Sequence, residues 1–292
     1  MFIVAHDLEK PVLPRDEVIQ APVARHTTGT VYRLVSPPVS YLQRVASEAR
    51  ILPNDHIVRV PILMYHHIRP LTANLTSKER YYSVSPASFE AQMNGLVRAG
   101  YTTITPNDLS SALNDSTFPL PEKPVLITFD DGFKDQYTKA FPIMERLGLK
   151  STFFVISDAF QQAGALSKEM VKVMDASGLV TIGAHTQHHV FLTRVSQQKR
   201  EQEIRGSKID LEHIVGHEVT SFAYPYGAIS PTIKAEVQTV GFDLGFWIQA
   251  GSQHVSSSRY QLRRIRVLDR EDIVPLLDGF SHTSARPSPP PS

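Results

Sequence analysis

The chain has no cysteine, which excludes a disulfide framework and any thiolate chemistry. That absence suits a protein outside the cytoplasm, where a stray thiol invites mispairing. A long hydrophobic run is missing too: nothing approaches the roughly eighteen consecutive apolar residues that a membrane-spanning helix needs. The opening Met1-Phe2-Ile3-Val4-Ala5-His6-Asp7 has neither a basic region nor a long apolar core, so it does not read as a secretory signal. Charge of one sign is scarce, with 30 Lys and Arg against 29 Asp and Glu for a net charge of +1. Bulk electrostatics therefore predict neither a nucleic acid nor a polyanion as partner. A basic run, Arg263-Arg264-Ile265-Arg266, is interrupted by an apolar residue, as on a strand with one solvated face.

What is present fits one large domain with an extension. The chain has 292 residues, 41% of them hydrophobic, and α/β barrels reach about 250 residues as a single unit. Residues 1–56 are rich in proline and β-branched residues. Helical spacing emerges there only over Tyr41–Leu52, after Pro37-Pro38, so an extension or stalk with one helix is expected. Residues 281–292 form a Pro-rich, low-complexity tail expected to be disordered. Between them, over 57–280, short apolar runs alternate with helical patterns, which predicts βα units and a parallel sheet. Strands are expected at Val60–Tyr65, Thr102–Ile104, Val125–Phe129, Ser151–Ile156, Val180–Ala184, Ser221–Ala223, Leu244–Trp247 and Leu262–Val267. Helices are expected at Pro86–Ala99, Pro106–Leu113, Lys139–Leu147, Lys168–Ser177, Gln197–Val215, Pro231–Val240 and Arg270–Leu277. Ser85 serves as an N-cap and Gly216 as a C-terminal stop.

The chemistry concentrates at strand ends. Val125-Leu126-Ile127-Thr128-Phe129 delivers Asp130-Asp131-Gly132, two adjacent carboxylates on a glycine turn, where a core does not tolerate charge without compensation. A solvated turn is the plain alternative; the sharper one gives one carboxylate a cation and the other a proton. Some fifty residues later Val180–Ala184 ends in His185-Thr186-Gln187-His188-His189, which holds three of the twelve histidines. Imidazole and carboxylate together make the usual open set of a catalytic zinc-type site. His185 and His189, four apart, can face one ion in a compact loop, and the spacing also permits a His185/His188 pair.

A third segment, Phe222-Ala223-Tyr224-Pro225-Tyr226-Gly227, completes a pattern. With Thr128–Gly132 and His185–His189 it resembles the motifs of the NodB-homology polysaccharide deacetylases, carbohydrate esterase family 4, over roughly Val60 to Leu277. The resemblance implies an α/β fold, a distorted (β/α) barrel with its site at the C-terminal ends of the strands. It implies that Asp130 is the catalytic base and that Asp131, His185 and His189 hold a divalent ion, zinc first, with cobalt, nickel or iron also suited. His188 becomes a neighbour of that site. Such an ion lowers the pKa of water toward about 7 and polarises the acyl oxygen. The backbone N–H of Tyr226 is implied as an oxyanion donor.

Two departures stand out. Many members carry an arginine two residues before the proline of the third motif, where it orients the base; here that residue is Ala223, and Arg264 or Arg266 is the expected substitute. The usual C-terminal Leu-x-His acid has no convincing match, since His254 falls in a polar loop and His282 in the tail. Instead Pro61-Ile62-Leu63-Met64-Tyr65-His66-His67 ends a strand near the start of the domain. This is similar to the circularly permuted deacetylases of poly-N-acetylglucosamine, which makes His66 the candidate acid and His67 its alternative. Trp247, the single tryptophan, either walls the acetyl pocket, packs on the acid histidine, or is core.

The expected function is metal-dependent N-deacetylation of an N-acetylglucosamine polysaccharide with release of acetate. Poly-N-acetylglucosamine is favoured, ahead of peptidoglycan or chitin oligomers. The alternatives are a non-catalytic glycan-binding module on the same fold and a deacetylase of xylan esters. The expected partner is an N-acetylated polysaccharide, the expected state a monomer, and the expected location extracytoplasmic or in the cell envelope.

Overall fold

The structure, a computed structural model, describes residues 55–281. The extension up to residue 54, with its expected helix at Tyr41–Leu52, and the tail from residue 282 lie outside the described residues.

Eight strands make the main sheet, and all of its pairings are parallel. In chain order they are β1 (Ile62–Tyr65), β2 (Thr102–Thr103), β3 (Pro124–Phe129), β4 (Ser151–Val155), β5 (Val180–Ala184), β6 (Ser221–Ala223), β7 (Leu244–Phe246) and β8 (Ile265–Arg266). Their spatial order is β7-β6-β5-β4-β3-β1-β8, with β2 against the start of β3. Each falls on a run expected from the sequence, β3 starting one residue earlier at Pro124. The sheet curls until its edges nearly meet. Trp247 N–H donates to Leu262 O at 2.7 Å and Leu262 N–H to Gly245 O at 2.8 Å, so β7 bonds to the segment that leads into the opposite edge, β8. The result is a distorted parallel barrel.

Around it stand α1 (Ser77–Tyr81), α2 (Pro86–Arg98), α3 (Pro106–Asn114), α4 (Phe141–Leu147), α5 (Lys168–Ala176), α6 (Gln197–Val215), α7 (Pro231–Val240) and α8 (Ile273–Ser281). Six of these begin at a serine or threonine whose hydroxyl accepts an N–H of the first turn: Thr76, Ser85, Thr105, Ser167, Ser196 and Ser230. Each such cap contributes about 1 kcal/mol. Gly216, at φ 80°, stops α6 in the left-handed region.

Two apolar clusters cover the two faces of the sheet. One lies under the helices and joins Leu63, Ile127, Phe129, Phe153 and Ile182 to Phe89, Met93, Met144, Val171 and Ile204. The other fills the inside of the curl with Ile62, Leu126, Phe154, Ala223, Leu244, Phe246 and Leu262. Strand alternation explains the division and sends Leu126, Thr128 and Asp130 to one face.

Three expectations are corrected. A continuous helix from Lys139 does not form; residues 136–140 make a wide π turn and α4 begins at Phe141, because Pro142 has no N–H to return to the preceding turn. The last helix begins at Ile273 rather than Arg270, whose φ of 59° is incompatible with a right-handed helix. His254 is not in a polar loop. It lies in a short strand, Gln253–Val255, antiparallel to Ile57–Arg59, and its buried Nε2 is 2.9 Å from Val60 O.

Candidate active site

The C-terminal strand ends open onto a cleft of about 740 Å³. Its walls include His66, Asp130, Asp131, His185, His189 and Tyr226, every residue expected at the site.

Asp130 continues β3 by one residue, and its N–H donates to Tyr65 O at 3.0 Å. Asp130 is 2% exposed, and its carboxylate is gripped at both oxygens by Arg264, Nη1 to Oδ1 at 2.6 Å and Nη2 to Oδ2 at 2.8 Å. Arg264, not Arg266, therefore fills the place left open by Ala223. Arg264 is itself fully buried, with Nε on Trp247 O at 3.0 Å and Nη1 on Thr128 Oγ1 at 3.2 Å. Burial disfavours ionised Asp130, but the Arg264 charge, with His185 behind it, outweighs that and holds the carboxyl below its ordinary range.

Asp131 leaves the strand with φ at 75°, turning its side chain away from that of Asp130. Its Oδ1 lies 3.4 Å from His185 Nε2 and 3.3 Å from His189 Nε2, and it is buried without a hydrogen-bond partner. Those distances are long for charge-assisted hydrogen bonds. They match ligand atoms around a tetrahedral ion, which stand about 3.3–3.6 Å apart when each bond is about 2.0–2.2 Å. The donor set and the orphaned oxygen fit a divalent metal, and the three ligand atoms lie within 4.8 Å of one another. Burial opposes the charge of Asp131, yet the two imidazoles facing it hold its pKa well below the ordinary value. Burial likewise works against protonating His185, but Asp131 and Asp130 raise its pKa.

The histidine loop is shaped for this. His185 Nδ1 sits 2.8 Å from Ala223 O, which leaves Nε2 for the cleft. Thr186 and His189 adopt left-handed φ of 62° and 55°, and Thr186 Oγ1 accepts the His189 N–H at 2.9 Å. His188 turns the other way. The buried Glu203 accepts its N–H at 2.9 Å and lies 2.8 Å from its Nδ1, so His188 anchors the loop and takes no part in the cluster. Glu203 carried no local signal, being one acid in the charged helix α6.

His66 and His67 separate clearly. His67 Nδ1 lies 2.6 Å from Asp135 Oδ2, and its ring stacks on Phe133 at 3.5 Å. The His66 ring tilts against Tyr82 at 4.8 Å, and its Nδ1 is buried without a partner. Burial, partly offset by Asp130 and Asp131, pushes its pKa down to about 4. Gln136 Nε2, from the π turn, donates to both His66 O and Asp130 O, at 2.9 and 2.5 Å, and so couples the two strand ends.

Tyr226, at φ 58°, sits in the turn Pro225–Gly227. Two bonds close that turn, Gly227 N–H to Tyr224 O and Ala228 N–H to Pro225 O, and neither uses the Tyr226 N–H. The Tyr226 ring stacks on Phe191 at 3.7 Å and tilts over His189 at 4.4 Å. Trp247 is half-buried and outside the cleft lining; its Nε1 donates to Gly227 O at 2.9 Å. It neither walls the pocket nor packs on His66, and instead fastens the Tyr226 turn.

A curled parallel sheet with an acid–histidine cluster and an arginine-gripped aspartate at its C-terminal edge defines a class, and comparison with known proteins agrees. The polysaccharide deacetylase family model matches residues 118–245. YxkH of Bacillus subtilis (strain 168), provisionally named a polysaccharide deacetylase, is 34% identical over 210 residues, 72% of this chain and 71% of the relative. The chain belongs to the polysaccharide deacetylase family. A poly-beta-1,6-N-acetyl-D-glucosamine N-deacetylase of Staphylococcus epidermidis is 26% identical over 266 residues, 83% of this chain and 91% of the relative. Among solved structures, the Streptococcus pyogenes deacetylase PplD in complex with acetate aligns with a TM-score of 0.68 and 27% identity, covering 77% of this chain and 99% of that one. IcaB from Ammonifex degensii aligns with a TM-score of 0.67 and 28% identity, covering 77% of this chain and 97% of that one.

Proposed function

We propose that residues 57–280 form a catalytic domain for metal-dependent N-deacetylation of an N-acetylglucosamine polysaccharide, converting amide and water to acetate and a free amine. The observation that carries this reading is the Asp130–Arg264 pair beside the Asp131, His185 and His189 cluster. Asp131, His185 and His189 would hold a divalent ion, zinc first and cobalt, nickel or iron next, which would supply the Lewis acidity for activating water and polarising the acyl oxygen. Asp130, kept ionised by Arg264, takes the proton of the attacking water. The Tyr226 N–H donates to the oxygen that gains charge, a contribution of about 3 kcal/mol in comparable sites. His66 gives a proton to the departing amine nitrogen. Burial keeps that imidazole neutral at rest, so it takes up a proton from solvent as negative charge develops in the cleft, passes it to the nitrogen, and Asp130 then returns to solvent the proton it took from water.

Likeness to the Staphylococcus epidermidis enzyme supports poly-N-acetylglucosamine as the favoured polymer, with peptidoglycan and chitin oligomers next. Such substrates imply work outside the cytoplasm or in the cell envelope, and we take the chain to act as a monomer. No described helix is long and apolar enough to cross a membrane. The test is acetate release from N-acetylglucosamine oligomers before and after chelation. Release should stop with chelator, return with added zinc or cobalt, and fall at least about a hundredfold in Asp130→Asn. Release that persists after full metal removal sinks the mechanism. Inactivity on every glycan, with metal bound, favours a glycan-binding module.

A further inference from the structure

The His66 side of the cleft carries more positive charge than the proposed reaction uses. Arg69, Lys78 and Arg266 line it. Against them stands Glu79, since the other lining carboxylates, Asp130 and Asp131, are engaged by Arg264 and the imidazole pair. Glu79 is itself partly spent. Its Oε2 accepts the N–H and the hydroxyl of Thr76 at 2.8 and 2.7 Å, closing the capping box of α1. Its Oε1 reaches Arg69 Nη2 only at 3.9 Å.

Arg69 donates Nε to Ser83 Oγ at 3.0 Å, but its Nη2 is buried without a hydrogen-bond partner. A buried donor left unpaired costs about 1–3 kcal/mol, more when charged. Arg266 lies over the rings of Tyr81 and Tyr82, at 4.8 and 4.6 Å, which orients its guanidinium while leaving its N–H fork free of any carboxylate among the described ion pairs. The arginine fork matches a carboxylate in shape and charge.

Position decides what meets this wall. Tyr82 joins it to the His66 ring, whereas the Tyr226 ring lies over His189 of the metal-type cluster. In the proposed reaction His66 serves the amine nitrogen, and the sugar ring hangs from that nitrogen. The ring and its substituents, not the acetyl group, therefore face the cations.

We propose that Arg69, Lys78 and Arg266 form a subsite for a carboxylate carried by the reacting sugar or its neighbour in the polymer. The inference rests on the deacetylase reading and, within it, moves an acidic polymer such as peptidoglycan ahead of the neutral poly-N-acetylglucosamine that sequence likeness favours. Overall charge near zero hides the subsite because Arg69 and Lys78 stand beside Glu79 in the sequence and Arg266 lies far along the chain.

The test compares an N-acetylglucosamine tetramer with a tetramer of equal length bearing a 3-O-lactyl ether on alternate sugars. At low salt, kcat/KM for the lactyl-bearing oligomer should exceed that for the neutral one by about tenfold or more, as one charge-assisted pair provides. The advantage should shrink in 0.5 M salt, roughly a Debye length below 5 Å. Arg69→Gln should bring the ratio toward one. Glu79→Gln keeps the cap on Thr76, because glutamine serves that position, while it removes the opposing charge, and it should raise the ratio several-fold. Misfolding does not move the two variants in opposite directions. A wild-type protein that handles both oligomers equally, or prefers the neutral one, overturns the subsite and leaves the deacetylase reading standing. If neither oligomer releases acetate, that reading fails instead, and the ratio of the two Kd values measured on Asp130→Asn still decides the subsite.

Discussion

Arg264 holds both oxygens of Asp130, at 2.6 and 2.8 Å, across 134 residues of sequence and with both side chains out of solvent. Removing one member of such a pair strands the other charge, at a cost of about 3–5 kcal/mol. Arg264→Gln should therefore destabilise the fold by that amount and lower kcat about a hundredfold, since Asp130 loses its fixed geometry. The pH dependence gives a sharper check. In the wild type the folded pKa of Asp130 is lowered, so its contribution is complete above about pH 4 and is lost as pH falls through the folded value. In the variant burial is opposed only by His185 and His66, so the pKa rises and that slope weakens. The stability gap between the two proteins, measured by urea unfolding of chelated samples, should narrow on acidification; a constant gap contradicts the pairing.

His66 and His67 are neighbours with opposite attachments. Asp135 and Phe133 hold His67, while the His66 Nδ1 faces no partner. His66→Ala should lower kcat about a hundredfold to ten-thousandfold, the range of a general acid. His67→Ala should cost stability first, because Asp135, which also accepts the Ile68 N–H, loses its imidazole. Acetate-release kinetics on folded, metal-replete protein separate the two, and a larger kcat loss in His67→Ala reverses the assignment.

His254, far along the chain from the motif residues, predicts an acid sensitivity unrelated to catalysis. Burial pushes its pKa down to about 4 despite the Val60 carbonyl at 2.9 Å. Above about pH 6.5 the ring is neutral in both folded and unfolded chains and contributes no slope. Between about 6.5 and 4 only the unfolded chain takes the proton, so stability falls through that window. At pH 4.5 the loss from this group is about 2–3 kcal/mol. In His254→Gln the drop between pH 7 and pH 4.5 should be smaller by that amount, measured by urea unfolding at both values. An equal drop in both proteins rules the imidazole out as its source.

The site is legible in the chain where chemistry rides on strand ends. Val125–Gly132 and Val180–His189 show an apolar run and its polar cargo in one glance, because a parallel barrel puts function at one edge. Arg264 is harder to single out. It lies two positions from Arg266, the period that repeats a strand face, so alternation does not choose between them. Only the curl of the sheet, which carries the segment before β8 back against β7 and β3, sends Arg264 to Asp130 and leaves Arg266 over Tyr81 and Tyr82. The wall of Arg69, Lys78 and Glu79 is illegible for another reason: His67–Ile68, Ser83–Val84 and the five-residue α1 are too short to show any period. Glu203 shows how a buried acid on a polar helix leaves no mark until its partner is seen.

Trp247 connects two parts of the site that have no direct bond to each other. Its indole Nε1 donates to Gly227 O at 2.9 Å, and its carbonyl accepts Arg264 Nε at 3.0 Å. The first bond holds the turn that presents Tyr226; the second fixes the arginine that presents Asp130. Trp247→Phe deletes only the first, because the carbonyl belongs to the backbone. The expected stability loss is about 1–2 kcal/mol for one hydrogen bond and part of a ring. The expected kinetic signature is a fall in kcat of about tenfold with little change in KM, since a loosened Tyr226 N–H weakens a bond needed mainly as charge develops. The Asp130-linked slope of stability with pH should stay as in the wild type, because the Arg264 grip is intact. Rescue is not expected from Trp247→Tyr, whose hydroxyl extends beyond the indole N–H position. A variant with unchanged kcat would show that the Tyr226 turn is held without the indole, by its two backbone bonds and the Phe191 stack.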